Sequence, residues 1–208
     1  AERVERAAAR RGRKAAALSS AAVLASAGAG AAVVMTEGAA GANPVLVVDT
    51  LADGGAGSLR QAILDANSTG GQDRIEFTVA GTMTLSADLP VISDGVDIAG
   101  PGAGSLTVDG DGAYRVFRID TVTTGTVSID GLTVTGSIQA GIAAYYTDVP
   151  ITLSSMVVTG NVFSRGAGIQ VYNNITDITI SDVTVSDNTA SVNGGGLYAD
   201  ALGPGQHI

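Results

Sequence analysis

Two aspartates that alternate with glycines, Asp109 and Asp111, are the best candidates for a metal-dependent site. Their carboxylates could converge on one hard cation such as Ca²⁺. Arg115 and Arg118 follow shortly after, and an arginine could serve as the base that removes the C5 proton of a uronic acid. These groups would together suit a polysaccharide lyase. Asp-Gly pairs are also ordinary turn formers, so both interpretations stay open.

A second pair of carboxylates, Asp130 and Asp182, falls at the same corner of a repeated segment, with Ser154 at that corner in the copy between them. If the copies stack, the two carboxylates would lie about 10 Å apart along one edge. That separation is close to the range that inverting glycosidases use. A corner turn explains both residues more simply. Arg165, in a Ser-Arg-Gly loop, is interpreted as a surface charge.

Tyrosines recur at nearly constant intervals in the same part of the chain. The recurring positions are Tyr145, Tyr172 and Tyr198, and Tyr146 adjoins the first of them. This recurrence predicts a stacked column of rings. Aromatic faces pack against the C–H faces of pyranose rings, so the column could bind a sugar. A purely structural ladder is the alternative.

Several other kinds of chemistry lack the residues that they need. The chain has no Cys, and its single His is His207, so Ser or Cys triads and zinc sites are not supported. Residues 43–208 contain no Lys, which excludes a phosphate-binding loop of the Gly-Lys-Ser type there. We therefore assign no catalytic, cofactor-binding or metal-binding residue and predict no cofactor.

The elements that would position these side chains come from an internal repeat. Segments 127–134, 151–158 and 178–185 each read as a short strand, a two-residue corner and a second short strand. Successive copies begin at nearly even spacing, at Val127, Ile151 and Ile178. Apolar residues alternate with small polar ones, which places one set on an inner face. Such copies bury that face only by stacking, so the repeat predicts a parallel β-helix.

Other residues keep step with this repeat. A Gly-apolar pair recurs at Gly141, Gly168 and Gly196, and we expect a third strand there, entered through a glycine at positive φ. Asn161 and Asn188 have the same separation as the starts of the last two copies, and they predict either a stacked pair of amides or two independent turns. Counting looser copies upstream, we expect about five coils and a rod of ~20–25 Å.

A capping unit precedes the repeats. A strand is predicted over 45–49 and a helix over 58–67, with Ser58 as N-cap and Gln61 completing a capping box. The solenoid needs such a cover, because an open first coil exposes its core and strand edges. We assign residues 43–74 to the cap and 75–208 to β-helix repeats.

The cap and first coils resemble the start of bacterial right-handed parallel β-helix repeat proteins, large secreted or surface proteins that include polymorphic outer-membrane-protein-like passengers. The resemblance extends over about 45–208. It implies an all-β, right-handed solenoid on an exported protein, and it is weak for activity. Many members have Cys before the Ser-Leu-Arg run, where this chain has Gly57, so no thiol role is implied. The matching residues lie in segments 48–50, 57–63, 73–77, 81–82, 96–102, 186–190 and 194–198.

Charge is distributed unevenly along the chain. Residues 1–42 hold six basic and three acidic residues, whereas residues 43–208 hold five Arg and seventeen acids, a net charge of −12. Basic residues, an uncharged Ala-rich stretch and an Ala-Gly-Ala site make 1–42 a signal peptide or an N-terminal membrane anchor, helical in either case. The acidic remainder should repel nucleic acids. By the repeat pattern, Ile208 would open another coil, so we expect the sequence to be C-terminally truncated.

Together these features predict an extracytoplasmic protein, secreted or on the cell surface. The favoured function is a non-catalytic, adhesin-like binding module for carbohydrate or another cell-surface ligand. Contact with a membrane is expected only through residues 1–42 or a missing C-terminal part. The alternatives are a carbohydrate-active enzyme on the same scaffold, either a polysaccharide lyase or a glycosidase, and a spacer without a ligand.

Overall fold

The computed structural model describes residues 45–173 and 176–200, and it is a parallel β-helix with one helix, α1, at Leu59–Thr69. The predicted fold class is thus confirmed. In chain order the strands are β1 Val45–Val48, β2 Asp73–Phe77, β3 Gly81–Thr84, β4 Val96–Ala99, β5 Leu106–Asp109, β6 Phe117–Asp120, β7 Val127–Asp130, β8 Thr133–Thr135, β9 Ile142–Tyr145, β10 Ile151–Ser154, β11 Val157–Thr159, β12 Val162–Arg165, β13 Ile169–Tyr172, β14 Ile178–Ser181, β15 Thr184–Ser186, β16 Thr189–Asn193 and β17 Leu197–Asp200.

Three parallel sheets run along the solenoid. The first has the order β1-β2-β4-β7-β10-β14, the second β15-β11-β8-β5-β3 and the third β17-β13-β9-β6. A two-stranded ribbon, β12-β16, lies between the second and third sheets in the last two described coils. Within the described residues the first sheet has six strands, one for each coil, so the expected number of five coils is too low. The difference arises because β1, assigned to the cap, pairs in parallel with β2 as a coil of its own.

The repeat residues stack as their spacing predicts. Val127, Ile151 and Ile178 are directly paired across β7, β10 and β14, and all three are buried. Because strand side chains alternate, the second apolar residue of each strand also points inward. The interior is therefore a set of aliphatic columns shared by all coils, and its burial is the main stabilising contribution of the fold.

Glycines at the entrance to the third sheet have a different role from the predicted one. Gly141, Gly168 and Gly196 do not adopt positive φ. A Cβ on Gly141 would instead lie 2.8 Å from Nδ2 of Asn161, and one on Gly168 would lie 2.5 Å from the carbonyl oxygen of Gly196. Gly141 and Gly168 are needed because neighbouring groups approach the backbone closely, whereas a Cβ on Gly196 would meet only Cγ1 of Val185 at 3.4 Å.

The group that approaches Gly141 is part of an asparagine ladder, which confirms the predicted stack. Asn161 is fully buried, and its Nδ2 donates to Oδ1 of Asn188 at 2.9 Å. The same Asn188 oxygen accepts from the backbone N–H of Asn161 at 3.0 Å. In the preceding coil the N–H of Ser137 donates in turn to Oδ1 of Asn161 at 3.0 Å. Each asparagine therefore satisfies the turn of the coil before it.

The helix α1 begins with half of the predicted capping box. The Ser58 hydroxyl accepts from the Gln61 N–H at 3.2 Å. The Gln61 side chain, however, donates to Oδ1 of Asp65 at 2.8 Å instead of returning to Ser58. The competing partner is available because Asp65 lies one turn further along the same face. The apolar side of α1 packs on β1 and β2.

A buried carboxylate beneath α1 makes stability depend on pH. Burial raises the pKa of Asp73, and the hydroxyl of Thr69 donates to its Oδ2 at 2.5 Å. A carboxyl whose pKa is raised on folding is most favourable when protonated, so its contribution falls as pH rises from the ordinary value toward the raised one. We therefore expect the stability of Asp73→Asn relative to the wild type to increase as pH rises from the ordinary carboxyl range through the raised pKa of Asp73.

Asp53 supplies the opposite case in the same experiment. Its partial burial opposes ionisation, but hydrogen bonds from Ser86 and Arg60 outweigh this and lower its pKa. Asp53→Asn should therefore lose stability relative to the wild type as pH rises. Urea unfolding at a series of pH values measures both differences. Parallel curves for the two variants would contradict this assignment.

Some predictions fall on residues outside the described ranges. These are the signal peptide or anchor at 1–42, the single histidine His207, and the coil that Ile208 would open. Within residues 45–173 and 176–200, no helix has both the length and the apolar character that crossing a bilayer requires.

Candidate functional site

The Asp109 and Asp111 pair forms a turn. Oδ1 of Asp109 accepts from the backbone N–H of Asp111 at 2.9 Å, and Asp111 has φ 56°. An aspartate that accepts from the N–H two residues on is the usual Asx-turn arrangement. Among the described residues, no three His, Cys, Asp or Glu side chains lie close enough together to hold one metal ion.

The two arginines proposed as bases each bind a carboxylate outside that turn. The Arg115 guanidinium lies 2.7 Å from Oδ2 of Asp88, and Nε of Arg118 lies 3.0 Å from Oδ2 of Asp120. Hydrogen bonds between a guanidinium and a carboxylate are charge-assisted and stronger than those between neutral groups. Both side chains are thus arranged as ion-pair partners.

Asp130 and Asp182 do not share a column, so the predicted facing pair is wrong. Asp130 pairs with Ser154, and Ser154 pairs with Ser181. Asp182 is one residue further along, at the second corner position, where it has φ 54°. The spacing alone missed this because the corner has two positions. The Ser154 hydroxyl donates to Oδ1 of Asp130 at 2.7 Å, which makes the corner a hydrogen-bonded column.

The tyrosines lie on the outer face of the third sheet. The predicted column of three tyrosines is correct for Tyr145 and Tyr172 and wrong for Tyr198. Tyr145 pairs with Tyr172, but the next residue in that column is Asp200. Tyr198 pairs with Gln170 in the adjacent column, because it comes too early in the chain to reach the level of Tyr172. We call Tyr145, Tyr146, Tyr172 and Tyr198 the tyrosine strip.

Tyr145 is held rigidly at the first coil of the tyrosine strip. The guanidinium carbon of Arg118 lies 5.0 Å from its ring centroid, within cation–π range. Its hydroxyl donates to Oε1 of Gln170 on the next strand. Burial raises the pKa of Tyr145, so the hydroxyl stays protonated and remains a donor. Arg118 also binds Asp120, so this part of the face has a balanced charge.

Tyr146 presents the most accessible ring of the tyrosine strip, and it contacts the partly buried ring of Tyr172. Their centroids are 6.0 Å apart with the planes at 82°, an edge-to-face contact. Tyr146 is 51% exposed, which is high for a tyrosine in contact with another ring. Sequence spacing gave no reason to separate Tyr146 from Tyr145, since only the fold places one on the sheet and the other on its corner.

Tyr198 completes the tyrosine strip with a charged border. Its hydroxyl donates to Oδ2 of Asp200 at 2.9 Å, and this hydrogen bond raises the pKa of Tyr198. Arg165, at the end of β12, places its guanidinium carbon 5.8 Å from the Tyr198 ring centroid. The residue interpreted from sequence as a surface charge therefore borders the tyrosine strip.

The backbone of Tyr146 is unusual for its residue type. It has φ 51°, in the left-handed region that bulky L-residues rarely adopt. Thr121 and Asn173 occupy the same corner in the coils before and after, with φ 56° and 52°. Asparagine tolerates this conformation well and tyrosine does not. The strain at Tyr146 is thus associated with an exposed aromatic ring.

The chain was also compared with known proteins. No family model matches it, and no curated protein matches it significantly.

Proposed function

We propose that this chain is the binding module of an exported β-helix protein of the bacterial surface type, and that it binds carbohydrate on the tyrosine strip without catalysing a reaction. The resemblance of residues 45–208 to surface passengers supports the exported location. The exposed ring of Tyr146, the partly buried rings of the other three tyrosines, and the carboxylates of Asp120 and Asp200 beside them support the ligand class. Sugar rings present C–H faces to aromatic side chains and hydroxyls to amides and carboxylates.

The strained tyrosine is the single observation that favours this function most. A left-handed conformation costs a non-glycine residue about 1–2 kcal/mol, and Asn173 shows that the next coil uses a more suitable residue at the same corner. Thr121 has the same strain without an aromatic side chain, so the distinguishing feature of Tyr146 is an exposed ring that is kept at a strained corner. The edge-to-face contact with Tyr172 offsets only part of this strain, since Tyr146 is 51% exposed.

Replacing Tyr146 with asparagine tests the proposal. We expect Tyr146→Asn to raise the free energy of unfolding by about 1 kcal/mol, because the strain is relieved. We expect the same variant to weaken binding of neutral polysaccharides about tenfold or more. Affinity electrophoresis in gels containing soluble β-linked glucan, xylan or mannan measures binding, and urea unfolding measures stability.

Thr121→Asn is the matched control. It introduces the same residue, asparagine, at the same corner one coil earlier, where no aromatic ring is lost. It should stabilise the protein to a similar extent and leave binding unchanged. Retention of wild-type binding by Tyr146→Asn, or equal loss of binding in both variants, would show that the tyrosine strip is not the ligand face.

A further inference from the structure

On the basis of the proposed function, we infer that the ligand is an uncharged, extended polysaccharide chain that lies along the solenoid axis, with about one sugar unit per coil. The tyrosine strip extends over three consecutive strands of the third sheet, with Tyr145 on β9, Tyr172 on β13 and Tyr198 on β17. It is therefore elongated along the axis.

The repeat of the tyrosine strip matches a polymer better than a single sugar. Neighbouring strands are about 4.8 Å apart, and an extended β-1,4-linked chain advances by a similar length per sugar unit. Consecutive units would therefore meet equivalent positions on consecutive strands. The ring of Tyr172 and the ring of Tyr198 are offset by one column, which suits a flat chain whose successive units alternate in orientation.

One side chain borders the tyrosine strip on each of its two long sides. Tyr146 follows the carboxyl end of β9, and Arg165 precedes the amino end of β13. Because the strands are parallel, Tyr146 lies beyond their carboxyl ends and Arg165 beyond their amino ends, on opposite sides of the third sheet. A chain between them can run along the axis, whereas a chain across the strands would have to pass over both side chains.

The charges on this face favour a neutral chain. Arg118 is paired with Asp120 and packs on Tyr145, so its charge is already compensated. Arg165 faces the Tyr198 ring, with Asp200 bonded to the same tyrosine. Asp120 and Asp200 lie at the two ends of one column and can accept from sugar hydroxyls. A polyanion would meet these carboxylates on a protein whose net charge is −9.

The test uses two ladders of oligosaccharides that differ only at C6, β-1,4-linked mannose and β-1,4-linked mannuronate, with β-1,4-linked glucose in parallel. Isothermal titration calorimetry measures each affinity from the disaccharide to the hexasaccharide. We expect affinity for a neutral series to rise about tenfold up to the tetrasaccharide and then to stay constant, with one unit for each of the four strands between Asp120 on β6 and Asp200 on β17. The mannuronates should bind at least about tenfold more weakly. Tyr198→Ala should shorten the plateau by one unit, and Thr179→Ala, on the outer face of the first sheet, should not.

The outcomes separate this inference from the proposed function. Affinity that does not depend on length, or mannuronates that bind as well as mannose, would overturn the inference while sugar binding sensitive to Tyr146→Asn still stood. Failure of the wild type to bind any of the three series, mannuronates included, would overturn both.

Discussion

Asn161→Ala is expected to lower the free energy of unfolding by about 3–4 kcal/mol. Asn161 is fully buried, and its amide bonds to Asn188, to the carbonyl oxygen of Val134 at 3.3 Å and to that of Thr159 at 3.1 Å. Alanine removes all of these and also leaves the buried N–H of Ser137 without its acceptor. An unsatisfied buried group costs its full desolvation energy. Urea unfolding followed by circular dichroism measures the loss.

Two other asparagines provide graded controls for that measurement. Asn188→Ala, in the last described coil, should cost less, because its side chain is half-buried and water can replace part of its bonding. Asn193→Ala should stay within about 0.5 kcal/mol of the wild type, since Asn193 is exposed. Equal effects at Asn161 and Asn193 would mean that the ladder does not hold the coils together.

Periodicity is the reason that the solenoid could be predicted from the sequence. The apolar columns require the same residue class at the same place in every coil, and Val127, Ile151 and Ile178 repeat it directly. The first coil escaped prediction because Val45–Val48 and Asp73–Phe77 are separated by α1, so the strands that pair most closely in space lack a repeat in sequence. Pairing across such an insertion depends on the three-dimensional path of the chain.

The tyrosine strip was only partly predictable for a related reason. Tyr145 and Tyr172 are separated by one coil, since they pair directly. The next coil is one residue longer, since Ile169 pairs with Leu197. The extra residue lies within β16, where the pairing shifts by one between Phe163 and Arg165, so that Arg165 pairs with Asn193. The strain at Tyr146 could not be read from sequence either, because it depends on which residue falls at the corner.

The sequence pattern identified the recurring glycines correctly, but the predicted reason for them was wrong. The sequence pattern predicted positive φ, yet Gly168 is required for space. A Cβ there would lie 2.5 Å from the Gly196 carbonyl oxygen, 2.8 Å from Nδ2 of Asn188 and 2.8 Å from Cγ1 of Val185. Real Cβ atoms do not approach other non-bonded heavy atoms so closely, and a backbone oxygen in the next coil cannot rotate away. The constraint is tertiary, because every one of these atoms belongs to the following coil.

Gly168→Ala is therefore expected to lower the free energy of unfolding by about 3 kcal/mol. The added methyl must separate two coils at the third sheet, which also strains the asparagine ladder beside it. Gly104→Ala is the matched control, since a Cβ there meets nothing within 4 Å and its φ is not positive. That variant should stabilise the protein by about 0.4–1 kcal/mol through the unfolded chain. If both variants were stabilising, the coils would have to be spaced more loosely at Gly168 than the contacts around it allow.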